Sequence, residues 1–301
     1  WIPKEYSGTY GNNGFRLEFK GTGTSQDASG IGADTSGNGN HFAIHSSTLS
    51  AHDGNLPDSP ENNFSTFNKL YKDVDSHPTF SEGNLRIDAT SSSWFNTTST
   101  FSVSSGKWYA EFHITSNSTS FVSIASQAST STYLGSDANA YGYHSASGSI
   151  YNAGSATSYG NSYTTGDIIG VALDLDNGNL YFYKNGTIQN SGTAAYTGLS
   201  GEFTSYSLVY NNGGQVYNFG QDASFAGNLT GGNVGTAVGG GGTWKYAPPS
   251  GYKALKASNL PEPVFSPRNE PIENSYFYTT TYEGNGGGQR VGQFLPLNEV
   301  K

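Results

Sequence analysis

Asp174 and Asp176 are the carboxylates whose spacing comes nearest to acid–base chemistry in this 301-residue chain. Paired carboxylates divide the acid and base roles in glycoside hydrolysis. Here they alternate with Leu173 and Leu175, which continue an apolar series through Ile169 and Val171. In a strand this alternation puts both acids on the side opposite the leucines, facing solvent as ordinary polar positions. Glu111 follows Trp108 closely but has no carboxylate partner in its own stretch, and the E-x-D-x-x-E pattern of a glucanase does not occur. No G-x-S-x-G elbow is present to position a serine nucleophile. The chain has no Cys, which removes thiolate chemistry, disulfides and Cys-based zinc sites. His41, His45, His52, His77, His113 and His144 are scattered. His41 and His45 share a strand face but at a separation poorly suited to one metal. No catalytic residue is assigned.

Two other groupings suit binding. The run Asp34-Thr35-Ser36-Gly37-Asn38-Gly39-Asn40 is rich in oxygen ligands. Asp34 and Asn38, with Asp27 and backbone carbonyls, form a candidate site for a hard cation such as Ca²⁺. The spacing does not follow the EF-hand, and an Asn/Gly turn without metal is the competing reading. No other cofactor is implied. The second grouping is Tyr133, Tyr141, Tyr143, Tyr151, Tyr159 and Tyr163, set among Gly, Ser, Ala and Asn. Antibody paratopes use this mixture, and tyrosine faces also stack on sugars. The alternative is a pair of strands whose rings pack on each other.

The elements that must position these residues are strands. Charged residues are 12% of the chain and hydrophobic residues 34%, while aromatics reach 14% with 21 Tyr and 17 Phe. Aromatic and Thr-rich stretches broken by Gly and Asn favour strands and tight turns. Trp108, Ala110, Phe112 and Ile114 share one face of a strand, with Tyr109, Glu111 and His113 on a face expected to be wet. Ile169 to Leu175, the turn Asp176-Asn177-Gly178-Asn179 and Leu180 to Tyr183 predict a hairpin. Asn185-Gly186 predicts the next turn. Tyr206 to Tyr210 and Gln215 to Phe219 predict another hairpin around Asn211 to Gly214. Shorter strands are expected at Phe15 to Phe19, His41 to His45 and Tyr276 to Tyr282. Strands with turn signals every ten or so residues make the fold class all-β, a bent antiparallel sandwich. The net charge of −9 and the lack of a basic patch speak against nucleic acid. No apolar run approaches the roughly 20 residues of a membrane-spanning helix, so no membrane insertion is expected.

Three segments resemble a SPRY domain, a concanavalin A-like sandwich. They are Gly106 to Phe112 (GKWYAEF), Gly166 to Gly186 (GDIIGVALDLD and LYFYKNG) and Tyr206 to Gln221, which ends in NFGQ. The resemblance implies a module that binds peptides or proteins through loops at one end and has no catalytic activity. Residues 64–226 would form that sandwich. Ala33 to Phe42, Asp58 to Leu70 and Lys253 to Pro263 are similar to segments of large structural proteins of marine bacteriophages. That likeness makes residues 1–63 the end of a lectin-like unit or a bridge from it. Residues 227–301, with their Gly239 to Gly242 and Pro248-Pro249, read as a linker and arm that needs a neighbour. A chain without Met, beginning at Trp1, fits a piece of a longer polypeptide. The expected function is a non-enzymatic virion structural protein, a tail fibre, spike or head fibre. It would assemble with other virion subunits as a homo-oligomer and attach to a host-surface glycan or protein. An extracellular bacterial adhesin or carbohydrate-binding lectin is the alternative.

Overall fold

The computed structural model describes residues 6–19, 25–43, 63–70, 78–89, 94–116, 119–126, 136–210, 212–229 and 241–261. Counts of strands are counts within these residues. One compact unit takes in residues 1–260; of the second, 261–301, only Pro261 is described, so the strand expected at Tyr276 to Tyr282 lies outside.

The unit is a sandwich of two sheets. The strands are β1 (Thr79–Ser81), β2 (Arg86–Asp88), β3 (Trp94–Val103), β4 (Lys107–Ser116), β5 (Thr119–Ser126), β6 (Ala140–His144) and β7 (Ser149–Asn152). They continue with β8 (Ser155–Ser158), β9 (Ile168–Asp174), β10 (Asn179–Lys184), β11 (Thr187–Ile188), β12 (Phe203–Tyr210), β13 (Gly214–Asn218) and β14 (Lys253–Ala254). An eight-stranded sheet runs β1-β2-β13-β4-β9-β10-β11, with β14 beside β4. A six-stranded sheet runs β3-β12-β5-β6-β7-β8. All strand pairs are antiparallel except β14 with β4.

The period-two pattern of each strand builds the core. Trp108, Ala110, Phe112 and Ile114 of β4, with Ile169, Val171 and Leu173 of β9, meet Val122 and Ile124 of β5 and Phe203 and Val209 of β12. Expected and observed hairpins agree at β9–β10, where Asp174 pairs with Asn179 across the loop. They agree again at β10–β11, where Lys184 pairs with Thr187. There Asn185 (φ 49°) and Gly186 (φ 79°) both take positive φ, the requirement of a type I′ turn. A Cβ on Gly186 would also lie 2.6 Å from the Tyr246 ring. Gly186→Ala therefore combines backbone strain with a steric clash and should lower the unfolding free energy by about 1–3 kcal/mol in chemical denaturation.

Three expectations fail. β12 and β13 do not form a hairpin: β12 pairs with β3 and β5, whereas β13 pairs with β2 and β4 in the other sheet. A Cβ on Gly214 would meet the Asp88 carboxylate and the Thr115 hydroxyl, which would have to shift to admit it. The second failure is the wet face of β4. Tyr109, Glu111 and His113 are all buried. Phe64, Phe225, Trp244, Tyr246 and Tyr252 cover that side of the sheet, and β9 is buried along its whole length in consequence. Third, Phe15 to Phe19 is not a strand. Leu17 makes a single bridge to Asp34 and Phe19 has φ 51°. Of the strand expected at His41 to His45, residues 41–43 are not in a strand and residues 44–45 lie outside the described residues.

Candidate functional site

The tyrosines fall into two sets. Tyr143, Tyr159 and Tyr163 are 0%, 7% and 2% exposed, so they offer no contact surface. Strand alternation turns Tyr143 of β6 inward, where it stacks on Phe182 of β10 at 5.1 Å and ties the two sheets together. Tyr159 meets both rings at their edges. The phenols keep partners despite burial: Tyr163 donates to the Tyr143 carbonyl at 2.7 Å, Tyr143 to the Asn161 carbonyl, and Tyr159 to the Thr193 carbonyl at 3.3 Å. Burial pushes the Tyr159 hydroxyl up to about 12 and raises those of Tyr143 and Tyr163. Tyr141 is half-buried, its ring 5.0 Å from Tyr196. Tyr133 lies outside the described residues. Of the five described, only Tyr151 stands on an outer face.

The carboxylates are structural. Asp174 is buried rather than solvent-facing, at 5% exposure. Burial raises its pKa, but the Asn177 amide and the Lys107 ammonium (2.9 Å) outweigh that and hold it below the usual value. Asp176 is exposed in the turn and accepts the Gly106 N–H at 2.8 Å. The two therefore do not share a face. The β-strand ends at Asp174, and the turn redirects Asp176. Glu111 is wholly buried and has no second carboxylate beside it. It accepts the backbone N–H of Lys245 (2.9 Å) and of Tyr246 (2.8 Å) and the side-chain amide of Asn218 (3.2 Å). Burial pushes it up to about 7, against the pull of those three donors. Its task is to hold the 243–246 segment on the sheet.

The candidate cation ligands are also engaged. The Asp34 carboxylate accepts hydrogen bonds from the Arg16, Ser36 and Asn40 N–H groups (2.9, 2.8 and 2.9 Å) and from the Ser36 hydroxyl (2.9 Å). Burial raises its pKa, yet these donors hold it well below the usual range. Asn38 donates to the Gly11 and Gly14 carbonyls. Asp27 is taken by Ser29. Donors satisfy both Asp34 oxygens and Oδ1 of Asp27, whereas Asn38 engages its amide nitrogen; no group of three His, Asp or Glu suited to a metal occurs among the described residues. In this structure Asp34 clasps the loops around Arg16, Ser36 and Asn40.

A surface missed by the sequence reading crosses the outer face of the six-stranded sheet. Trp94 on β3 pairs in register with Tyr210 on β12, their rings 4.8 Å apart. Phe121 on β5 pairs with His144 on β6 at 4.7 Å, and lies 5.9 Å from Trp94. Tyr151 on β7 closes the row, 5.3 Å from Phe121 and 5.2 Å from His144. Phe121 is buried as the floor; Trp94, Tyr210, His144 and Tyr151 are half-buried. Burial lowers the His144 pKa, so this ring is neutral at pH 7. No Asp, Glu, Lys or Arg occurs in any strand of this sheet, whereas the eight-stranded sheet carries several. Aromatic enrichment with depletion of charge is the compositional mark of an interface centre. Each contributing residue is one position in a different strand, so no local run in the sequence signals the row.

The SPRY domain family model matches residues 107–222. The crystal structure of the SPRY domain of human HERC1 superposes with a TM-score of 0.44 at 18% sequence identity, covering 50% of this chain and 96% of that one. No curated protein matches the chain. SPRY domains are typically non-catalytic modules of protein–protein interaction. Residues 107–222, from β4 through β13 and Asp222, thus match the SPRY domain.

Proposed function

We propose that this chain is a non-enzymatic binding module that meets a protein partner on the aromatic row of the six-stranded sheet. The observation that carries this reading is the contrast between the two outer faces. Residues 243–255 and Phe64 cover one, while the other has a charge-free sheet and four half-buried rings. Trp and Tyr at the centre of such a patch supply most of the binding energy in protein interfaces. The catalytic alternative finds no support in Asp174, Asp176 and Glu111, which hold turns or the 243–246 segment in place.

The setting we propose is a virion fibre, spike or head fibre, extracellular on the particle. There the module would contact other virion subunits in a homo-oligomer, or a host-surface protein or glycan. Support comes from the low charge content and from the likeness of the 33–42, 58–70 and 253–263 segments to phage structural proteins. An antibody raised against this chain should label intact particles; labelling of bacterial envelopes alone would favour the adhesin. For the binding surface, peptides selected against the purified chain from a random displayed library should compete with one another and lose affinity in Trp94→Ala. Selected peptides that bind that variant and the native protein equally would defeat the assignment.

A further inference from the structure

We propose that the N-terminal region holds a second binding site, for an uncharged sugar ring of a glycan, built from Phe15, Phe42, Asn13, Gln26, Asn40 and His41. These residues line an open cleft of about 420 Å³. That lies in the range of small-molecule sites, about 300–1,000 Å³, and is small for a folded partner. The site lies outside residues 107–222 and rests on none of the residues of the aromatic row.

Phe15 and Phe42 are 48% and 44% exposed, and their rings meet edge to face at 4.7 Å. Large exposed apolar side chains placed together mark a contact site. The loops that carry them are held by side-chain hydrogen bonds. The Asp34 carboxylate fixes the backbone at Arg16, Ser36 and Asn40. Asn40 donates to the Asn12 and Gly14 carbonyls at 3.0 and 2.9 Å. Gln26 donates to the His41 carbonyl at 2.9 Å. A cleft held this way loses little conformational entropy on binding.

The same bonds decide which polar atoms remain for a ligand. With their amide nitrogens engaged, Asn40 and Gln26 keep Oδ1 and Oε1 as acceptors. His41 accepts the Asp34 N–H on Nδ1 at 3.0 Å, so Nε2 carries the ring's proton and offers a donor. Asn13 is exposed and supplies both a donor and an acceptor. A hydroxyl group both donates and accepts, and a pyranose presents several beside an apolar C–H face. Donors and acceptors together, two rings and a lining without Asp, Glu, Lys or Arg fit a neutral sugar better than a charged ligand.

The test uses the full chain with maltose, cellobiose and lactose as neutral probes and 3′-sialyllactose as the charged comparison. Binding is read by saturation-transfer NMR and titration calorimetry. At least one neutral disaccharide should bind with Kd near a millimolar, as expected for a small open site. Phe15→Ala and Phe42→Ala should weaken it about tenfold or more, and Trp94→Ala should leave it unchanged. Asn13→Ala removes an exposed side chain on which no loop depends, so its expected loss of about threefold or more tests the site even where a Phe variant unfolds the loops. Three results would each overturn the proposal: no neutral probe bound at about 20 mM, affinity unchanged in both Phe15→Ala and Asn13→Ala, or tighter binding of the sialylated probe through its charge.

Discussion

Glu111→Ala should release residues 243–246 from the outer face of the eight-stranded sheet and lower stability by about 2–4 kcal/mol. The substitution removes the acceptor for the Lys245 and Tyr246 N–H groups and for one Asn218 proton. Hydrogen bonds to a charged group contribute about 1.5–3 kcal/mol each, and relief of the buried charge offsets part of their loss. Trp244 would then lose its seat on Tyr109, where the rings meet at 5.0 Å. Amide hydrogen exchange at Lys245 and Tyr246 checks this directly. Protection should fall there before it falls in β9, and unchanged protection would exclude the clasp.

The same carboxyl makes the clasp pH-dependent. Burial raises Glu111 from the ordinary 4.5 to about 7, while the two backbone donors, Asn218 and the Lys245 charge pull it down. Tyr109 and Tyr246 also face it, both raised by burial and hence neutral. A carboxyl whose folded pKa exceeds its unfolded value contributes stability that is complete below pH 4.5 and is lost as pH rises through about 7. The segment should therefore sit more tightly at pH 5 than at pH 8, by on the order of 3 kcal/mol across the full window. Glu111→Gln cannot titrate and should flatten that dependence. A slope that persists in the Gln variant would assign the titration to another group.

Trp94→Ala should weaken the selected peptide ligands by about 10- to 100-fold, and Tyr210→Ala by a comparable factor. Both rings are half-buried and lean on each other, so each loses contact area with the partner and also shapes its neighbour. The stability cost should be smaller, about 1–2 kcal/mol, because part of each ring is already in water. Tyr151→Ala, at the far end of the row, separates a continuous patch from a local effect at Trp94. Loss of affinity in all three variants with retained melting temperatures supports the row. Loss in Trp94→Ala alone, matched by a fall in melting temperature, would reduce it to a packing cluster.

The elements readable from sequence were those whose determinants are local. The β9–β10 hairpin was legible because apolar alternation ends at Asp176-Asn177-Gly178, and the β10–β11 turn because Asn185-Gly186 accepts positive φ at little cost. The β12–β13 pair satisfied the same local pattern and still split between sheets. A turn signal fixes that the chain reverses, not which partner the returning strand finds.

Burial was the property least available locally. Glu111, Tyr109 and His113 have the alternation of a wet face, but the residues that cover them include Trp244, Tyr246 and Phe225, and Lys245 lies 134 positions from Glu111. The tyrosine run suggested a contact surface because its composition is that of one. Strand parity turned Tyr143 into the core and Tyr151 out of it, and backbone carbonyls took up the phenol protons.

What the sequence determined by itself was the all-β class, the β9–β10 and β10–β11 hairpins and the SPRY-like motifs, since these depend on residue type and short spacing. The tertiary structure alone decided which carboxylates are engaged and which rings reach the surface. Asp174 and Asp176, the acids with the most catalytic spacing, ended apart, one buried at the strand end against Lys107 and one exposed in the turn against the Gly106 N–H. The physical reason is common to all these cases. Burial and hydrogen-bond satisfaction depend on whatever packs from elsewhere in the chain, and that neighbour is not written beside the residue it covers.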